Sequence, residues 1–241
     1  MSREAFSHVV KSPVLGLALL LLLLSPALAD TIILQPIADT YSYSEEPATN
    51  FGAAAGIVSG VSTFLNPYAY AYLKFDLSAI TAPVLGAKLW LYQVDGNAPF
   101  ALGGTEALRL DTNSWTESGL TWDTAPPLAG IPLGSSPDSG IYKGWTSWVW
   151  SPSLADPVLD TTPGDDYLSL VIREDNSTTQ GHVWLSRSYS AHAASLDLYG
   201  PGKEPYLEIT TAAVAIPEPA TLMMTGAALI GFASTVRKLR R

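Results

Sequence analysis

The sequence predicts an all-β protein: a single antiparallel β-sandwich of jelly-roll type over residues 30–212. An N-terminal signal peptide precedes it and a single C-terminal transmembrane helix follows. Three observations carry this. Short segments with apolar residues at every second position alternate with clusters of Gly, Pro, Asn and Asp. Between residues 30 and 216 no stretch of 12 or more residues repeats with a helical period. Seven Trp and eleven Tyr among 241 residues supply large side chains to bury, which disordered chains lack.

The chain opens on an address, residues 1–29. Arg3 and Lys11 give a positive start, Val14–Leu24 is an apolar run too short to span a bilayer, and Ala27-Leu28-Ala29 is the small-x-small site that signal peptidase accepts. The mature chain is expected to begin at Asp30. Export makes the absence of cysteine informative. A domain of this size buries roughly 70% of its unfolded surface and folds without disulfides. Thiol catalysis and thiolate metal sites are excluded with the cysteines. Residues 30–216 hold seven basic and 20 acidic side chains, a net charge of −13. Such a surface repels phosphate, so no nucleic-acid partner is expected.

Strands are expected at Thr31–Gln35, Ile57–Val61, Tyr68–Asp76, Val84–Asp95, Ala107–Thr112, Tyr167–Arg173, His182–Ser188 and Tyr206–Thr210. Two of them show their faces. Ala69, Ala71, Leu73 and Phe75 alternate with Tyr70, Tyr72 and Lys74; Leu85, Ala87, Leu89 and Leu91 alternate with Lys88, Trp90 and Tyr92. Lysine is rarely buried, so the lysine-bearing faces are expected to point outward. In Gly144–Trp150, Trp148 and Trp150 share one face of a strand, as core or as a binding patch. Trp115 and Trp122, in Trp-Thr-Glu-Ser-Gly-Leu-Thr-Trp, are expected to lock a loop.

The chain ends on a second address, residues 213–241. Pro217-Glu218-Pro219 precedes an apolar stretch over 220–236 and the basic end Arg237, Lys238, Arg240 and Arg241. Seventeen helical residues rise about 26 Å, enough to cross a bilayer, and the basic end holds the C-terminus in the cytoplasm. The two prolines keep the preceding backbone extended and accessible. A plain anchor explains the helix and the charges but not Pro-Glu-Pro. This order resembles the PEP-CTERM sorting signal of Gram-negative bacteria. The resemblance implies an exosortase, a membrane sorting enzyme, as partner, and association with secreted polysaccharide and biofilm matrix.

The middle carries a second resemblance. Ala38-Asp39-Thr40-Tyr41, Thr49-Asn50-Phe51-Gly52, the segments 71–78 and 87–92, Trp115-Thr116-Glu117 with Leu120-Thr121-Trp122, Ala125-Pro126-Pro127 and Pro205-Tyr206-Leu207-Glu208-Ile209 follow in order the pattern of the DNRLRE domain. That family is similar to jelly-roll carbohydrate-binding modules, so the resemblance implies glycan binding or matrix adhesion more than catalysis. Residues 137–165 depart from the pattern.

Sugar recognition needs flat aromatic faces for C–H-rich ring sides and polar groups for hydroxyls. The candidate platform is Tyr70, Tyr72, Trp90 and Tyr92, with Lys74 and Lys88 available to a uronate carboxylate. The other reading is that these aromatics pair across strands or lie under a loop. A structural calcium is a possible cofactor, with Asp39 and Asn50 as ligands at the first loop. Asp165, Asp166, Asp175 and Asn176 form two further acidic groups, and for every one of these clusters solvated loop charge is the favoured reading over calcium. No Gly-x-Ser-x-Gly elbow or His-Glu-x-x-His occurs, and no catalytic residue is assigned. The expected protein is exported, held transiently at the inner membrane facing the periplasm, and then sorted to the cell surface or matrix. It binds extracellular polysaccharide there without catalysis. The alternatives are an adhesive surface protein without glycan binding, and a glycan lyase or hydrolase.

Overall fold

The protein's structure, a computed structural model, describes residues 29–61, 68–94, 105–128, 130–136, 143–150, 166–174, 181–192 and 198–212. The predicted signal peptide up to Leu28, the sorting tail with its 220–236 helix, and Asp165, Asp175 and Asn176 lie outside these residues. Ala29–Ala212 forms one compact unit. Among the described residues no helix is long and apolar enough to cross a membrane.

Alternation becomes strand as expected, and the described residues form eleven. They are β1 (Asp30–Leu34), β2 (Ala38–Tyr43), β3 (Gly56–Val61), β4 (Tyr68–Asp76), β5 (Val84–Gln93), β6 (Thr105–Leu110), β7 (Gly130–Ser136), β8 (Gly144–Trp150), β9 (Tyr167–Glu174), β10 (Gly181–Leu185) and β11 (Tyr206–Thr211). Two strands are additions to the sequence reading. β2 buries Asp39, Thr40 and Ser42, so its inner residues carry no hydrophobic signal. β7 contains Pro132, which an end strand tolerates because one side needs no N–H donor; the β6–β7 register shifts beside it.

All pairings are antiparallel and join the strands into one sheet, in the order β1-β11-β5-β10-β3-β4-β9-β6-β7, with β2 also on β4 and β8 also on β5. The sheet folds on itself into a sandwich. One half is β1-β11-β5-β8 and the other β2-β4-β9-β6-β7, with β10 and β3 linking them. Their inner faces share one core. Leu73 and Phe75 of β4 and Leu170 and Ile172 of β9 meet Leu89 and Leu91 of β5, Trp148 and Trp150 of β8, and Trp184 of β10. Trp148 and Trp150 are therefore core. Each such side chain contributes roughly 1.5–3 kcal/mol by leaving water.

The expectation that both lysine-bearing faces point to solvent fails for Lys74. Residues 111–128 cross the outer face of β4, β9 and β6 and build a second apolar layer with Tyr72, Leu108, Trp115, Leu120 and Val171. Tyr72 is fully buried and Lys74 is 8% exposed. An ammonium there is costly unless its protons are taken up. Lys74 donates to the Asn113 carbonyl at 2.8 Å and to the Trp115 carbonyl, and lies 4.5 Å above the Trp115 ring. Trp115 in turn donates its indole N–H to Ser169 Oγ at 2.9 Å. Burial pushes the Tyr72 hydroxyl up to about 12, so it stays neutral.

A second tie fastens the same segment. Arg187, just after β10, pairs with Glu117 through two nitrogens at 3.0 and 2.5 Å. The Arg187 backbone N–H donates to Asp39 Oδ2 at 2.6 Å, and Asp39 N–H donates to Glu117 Oε1 at 3.2 Å. Burial raises the Asp39 carboxyl from 3.8 to about 7, aided by the Glu117 charge and opposed by Arg187.

Two outcomes follow. Lys74→Met leaves the Asn113 and Trp115 carbonyls without their donor and is expected to cost on the order of 2–4 kcal/mol in urea unfolding. A change below about 0.5 kcal/mol would show that the segment is held by its apolar contacts alone. For Asp39 the folded pKa lies above the unfolded one, so the folded protein holds the proton more tightly. Its penalty on stability is absent below about pH 4, grows as pH rises to about 7, and is constant above. Asp39→Asn keeps an acceptor for Arg187 and removes the charge. Its stability relative to the native chain should therefore climb between about pH 4 and pH 7; a difference that stays flat with pH would contradict the assignment.

Candidate functional site

The pleat of β5 sends Leu89 and Leu91 into the core and Lys88, Trp90 and Tyr92 to the other side. Register then decides what joins them. Tyr206 of β11 lies opposite Trp90, and Glu208 opposite Lys88. On the other flank Trp145 of β8 lies opposite Tyr92. Trp90 and Tyr206 stack at 6.0 Å with their planes 22° apart, and Trp145 stands edge-on to both, at 6.4 and 5.2 Å. Tyr92 meets Trp145 edge-on at 5.4 Å. Each such pair adds about 0.5–1.5 kcal/mol beyond area burial and fixes ring orientation. Trp90 is fixed further, because its indole N–H donates to Glu208 Oε2 at 3.0 Å. Trp90, Trp145 and Tyr206 remain part-exposed, whereas Tyr92 is buried, packed with Leu185, Tyr189, Trp145 and Tyr199.

A turn brings in the third side. Gly200 and Gly202 both adopt φ of 74°, a conformation that residues with a Cβ resist, and fold Tyr199 and Lys203 back over β5. The buried Tyr189 hydroxyl pins this turn, donating to the Gly200 carbonyl at 2.9 Å and accepting the Lys203 N–H at 2.7 Å. Lys203 Nζ then sits 4.8 Å above Tyr92 and 5.8 Å from the Trp145 ring centre. Lys88 Nζ lies 4.7 Å above Trp90, and Lys143 Nζ 5.0 Å above Tyr199. The result is an open aromatic face with cations at its rim.

Of the six residues proposed from sequence as a platform, this face gathers Lys88, Trp90 and Tyr92. Tyr72 and Lys74 lie under residues 111–128 on the other half of the sandwich, and Tyr70 stays with them, stacked on Trp122 at 5.3 Å. Trp145, Tyr206, Tyr199 and Lys203 were missed as members of the site. Only strand register and the Gly-Pro-Gly turn bring them to β5, and neither is written in local alternation. The residues considered for calcium have other partners. Asn50 donates its amide to the Glu117 and Leu120 carbonyls at 2.6 and 2.7 Å, while its Oδ1 accepts the Gly52 N–H. Asp39 offers one buried oxygen, Oδ1, that meets no donor among the described residues. That set does not fit a cation needing six to eight oxygens. Among the described residues no group of three or more His, Asp or Glu gathers as a metal site.

Comparison with known proteins places this geometry. The chain is similar to a gellan lyase from Bacillus sp., 31% identical over 106 residues, which is 42% of this chain and 4% of that protein. The chain thus spans a small fraction of that relative's length. The family model for carbohydrate-binding module family 96 matches residues 30–200, nearly the whole sandwich. With 30–200 matched, this chain belongs to carbohydrate-binding module family 96.

Proposed function

We propose that the sandwich binds an acidic polysaccharide without catalysis, on the face formed by Trp90, Trp145 and Tyr206 and backed by the buried Tyr92, and that Lys88, Lys143 and Lys203 meet its carboxylates. The observation that carries this reading is where the cations lie. Residues 30–216 have only seven, against 20 acidic groups. Lys74 is spent under the covering segment, while Arg173 and Arg187 are paired with Glu106 and Glu117. Three of the remainder stand over the rings of one face, and among the described residues none of the three forms an ion pair with a carboxylate. A neutral sugar has no use for that concentration of charge. A uronate does, because the rings take its C–H face while the ammonium groups reach its carboxylate.

The rest of the chain fits a protein that works outside the cell. On this reading residues 1–29 direct export and are removed by signal peptidase. Residues 213–241 hold the chain in the inner membrane until an exosortase acts near Pro217–Pro219 and passes residues 30–212 to the surface or matrix. The lyase relative makes gellan a polymer worth testing as ligand.

The experiment is a titration of residues 30–212 with gellan, polygalacturonate and dextran, read by affinity and by release of new reducing ends. Binding should be saturable for the acidic polymers, weaker in high salt, and without turnover. Trp90→Ala should weaken it by about 1–3 kcal/mol, roughly 5- to 150-fold, in a domain that stays folded but unfolds more readily because two ring pairs are lost. Equal affinity for dextran, or an unaffected variant, would refute the site.

A further inference from the structure

The opposite outer face of the sandwich is covered only in part. Residues 111–128 close over Tyr72 and Lys74, and beside them Trp122 stacks on Tyr70 with centroids 5.3 Å apart and planes 13° apart. Tyr68 continues the row at 6.4 Å and 27°, and it is 42% exposed. On the neighbouring strands Arg173 of β9 and Glu106 of β6 pair in register at 2.8 Å, both part-exposed. Three nearly parallel rings repeat the stacking surface of the first face with different residues, and the Arg173–Glu106 pair beside them offers donors and acceptors to sugar hydroxyls.

The two rows cannot serve one sugar strand. In β4 the pleat sends Ala69, Ala71 and Leu73 inward and Tyr68 and Tyr70 outward. In β5 it sends Leu89 and Leu91 into the same core and Trp90 and Tyr92 outward. The aromatic rows therefore look away from each other across one sandwich. We propose that Tyr68, Tyr70 and Trp122, beside the Arg173–Glu106 pair, form a second binding face for polysaccharide, so that one domain holds two polymer strands and cross-links them. This rests on the reading of the first face. Its consequence is different in kind: a module with one face coats a polymer, while a module with two back-to-back faces ties a network together.

The test uses the full chain in a non-ionic detergent. Calorimetric titration with an oligogalacturonate gives the number of sites, and turbidity with polygalacturonate gives cross-linking. The native chain should take up two oligosaccharides. Tyr68→Ala, at an exposed position, should reduce this to one, leave the remaining affinity within about two-fold, and lower turbidity by about ten-fold or more. Trp122→Ala should act in the same direction. A native chain that binds one oligosaccharide, all of it lost in Trp90→Ala, would overturn the second face and leave the first intact. No uptake at all would overturn the first reading and this one with it.

Discussion

The ammonium of Lys74 is the point on which the two faces of this sandwich diverge. Strand alternation alone makes β4 and β5 look equivalent, each with small apolar residues inward and aromatics plus a lysine outward. On β4 the lysine is sealed between the Asn113 and Trp115 carbonyls beneath the Trp115 ring, and everything under it becomes a second core layer. Charge burial of this kind is tolerated only with its protons taken up, so the covering segment and the lysine require each other. Glu117, Arg187 and Asp39 fasten the same segment to the start of β2 and the exit of β10. On β5 no segment among the described residues covers Lys88 and Trp90 in this way, and Trp90 stays part-exposed while Tyr92 is buried.

Much of the fold could be read from the sequence because period-two alternation follows directly from the pleat. Tyr68–Asp76 coincides with β4, and Ala87, Leu89 and Leu91 of β5 point inward as the alternation picks out, although Leu85 at its start is 43% exposed. β2 escaped because its buried residues Asp39, Thr40 and Ser42 are polar, so hydropathy registers no inward face there. Lys74 misled for a related reason. The rule that lysines sit outside speaks to the cost of burying charge, and here two carbonyls 39 and 41 residues away offset that cost.

The site was half legible. Lys88, Trp90 and Tyr92 share one strand and could be seen together, whereas Trp145 and Tyr206 lie 53 or more positions away by sequence and meet them only through register. Lys203 needs a turn whose two glycines adopt a left-handed conformation and whose anchor is a buried tyrosine hydroxyl. The family match is to a carbohydrate-binding module, and an acidic ligand is the proposal that the placement of the lysines supports. This division is physical: alternation is local, and a binding face is assembled by pairing.

The most direct measurement is a two-dimensional spectrum of the seven tryptophan indole N–H groups during titration with a uronate oligosaccharide. The account predicts saturable movement of the Trp90 and Trp145 resonances with a common affinity. Those of Trp115, Trp148, Trp150 and Trp184, which are buried, should hold still. Trp122 reports the opposite face separately. Movement of the buried indoles with Trp90 and Trp145 silent would contradict the account, because the sugar would then be bound somewhere other than the open face of β5, β8 and β11.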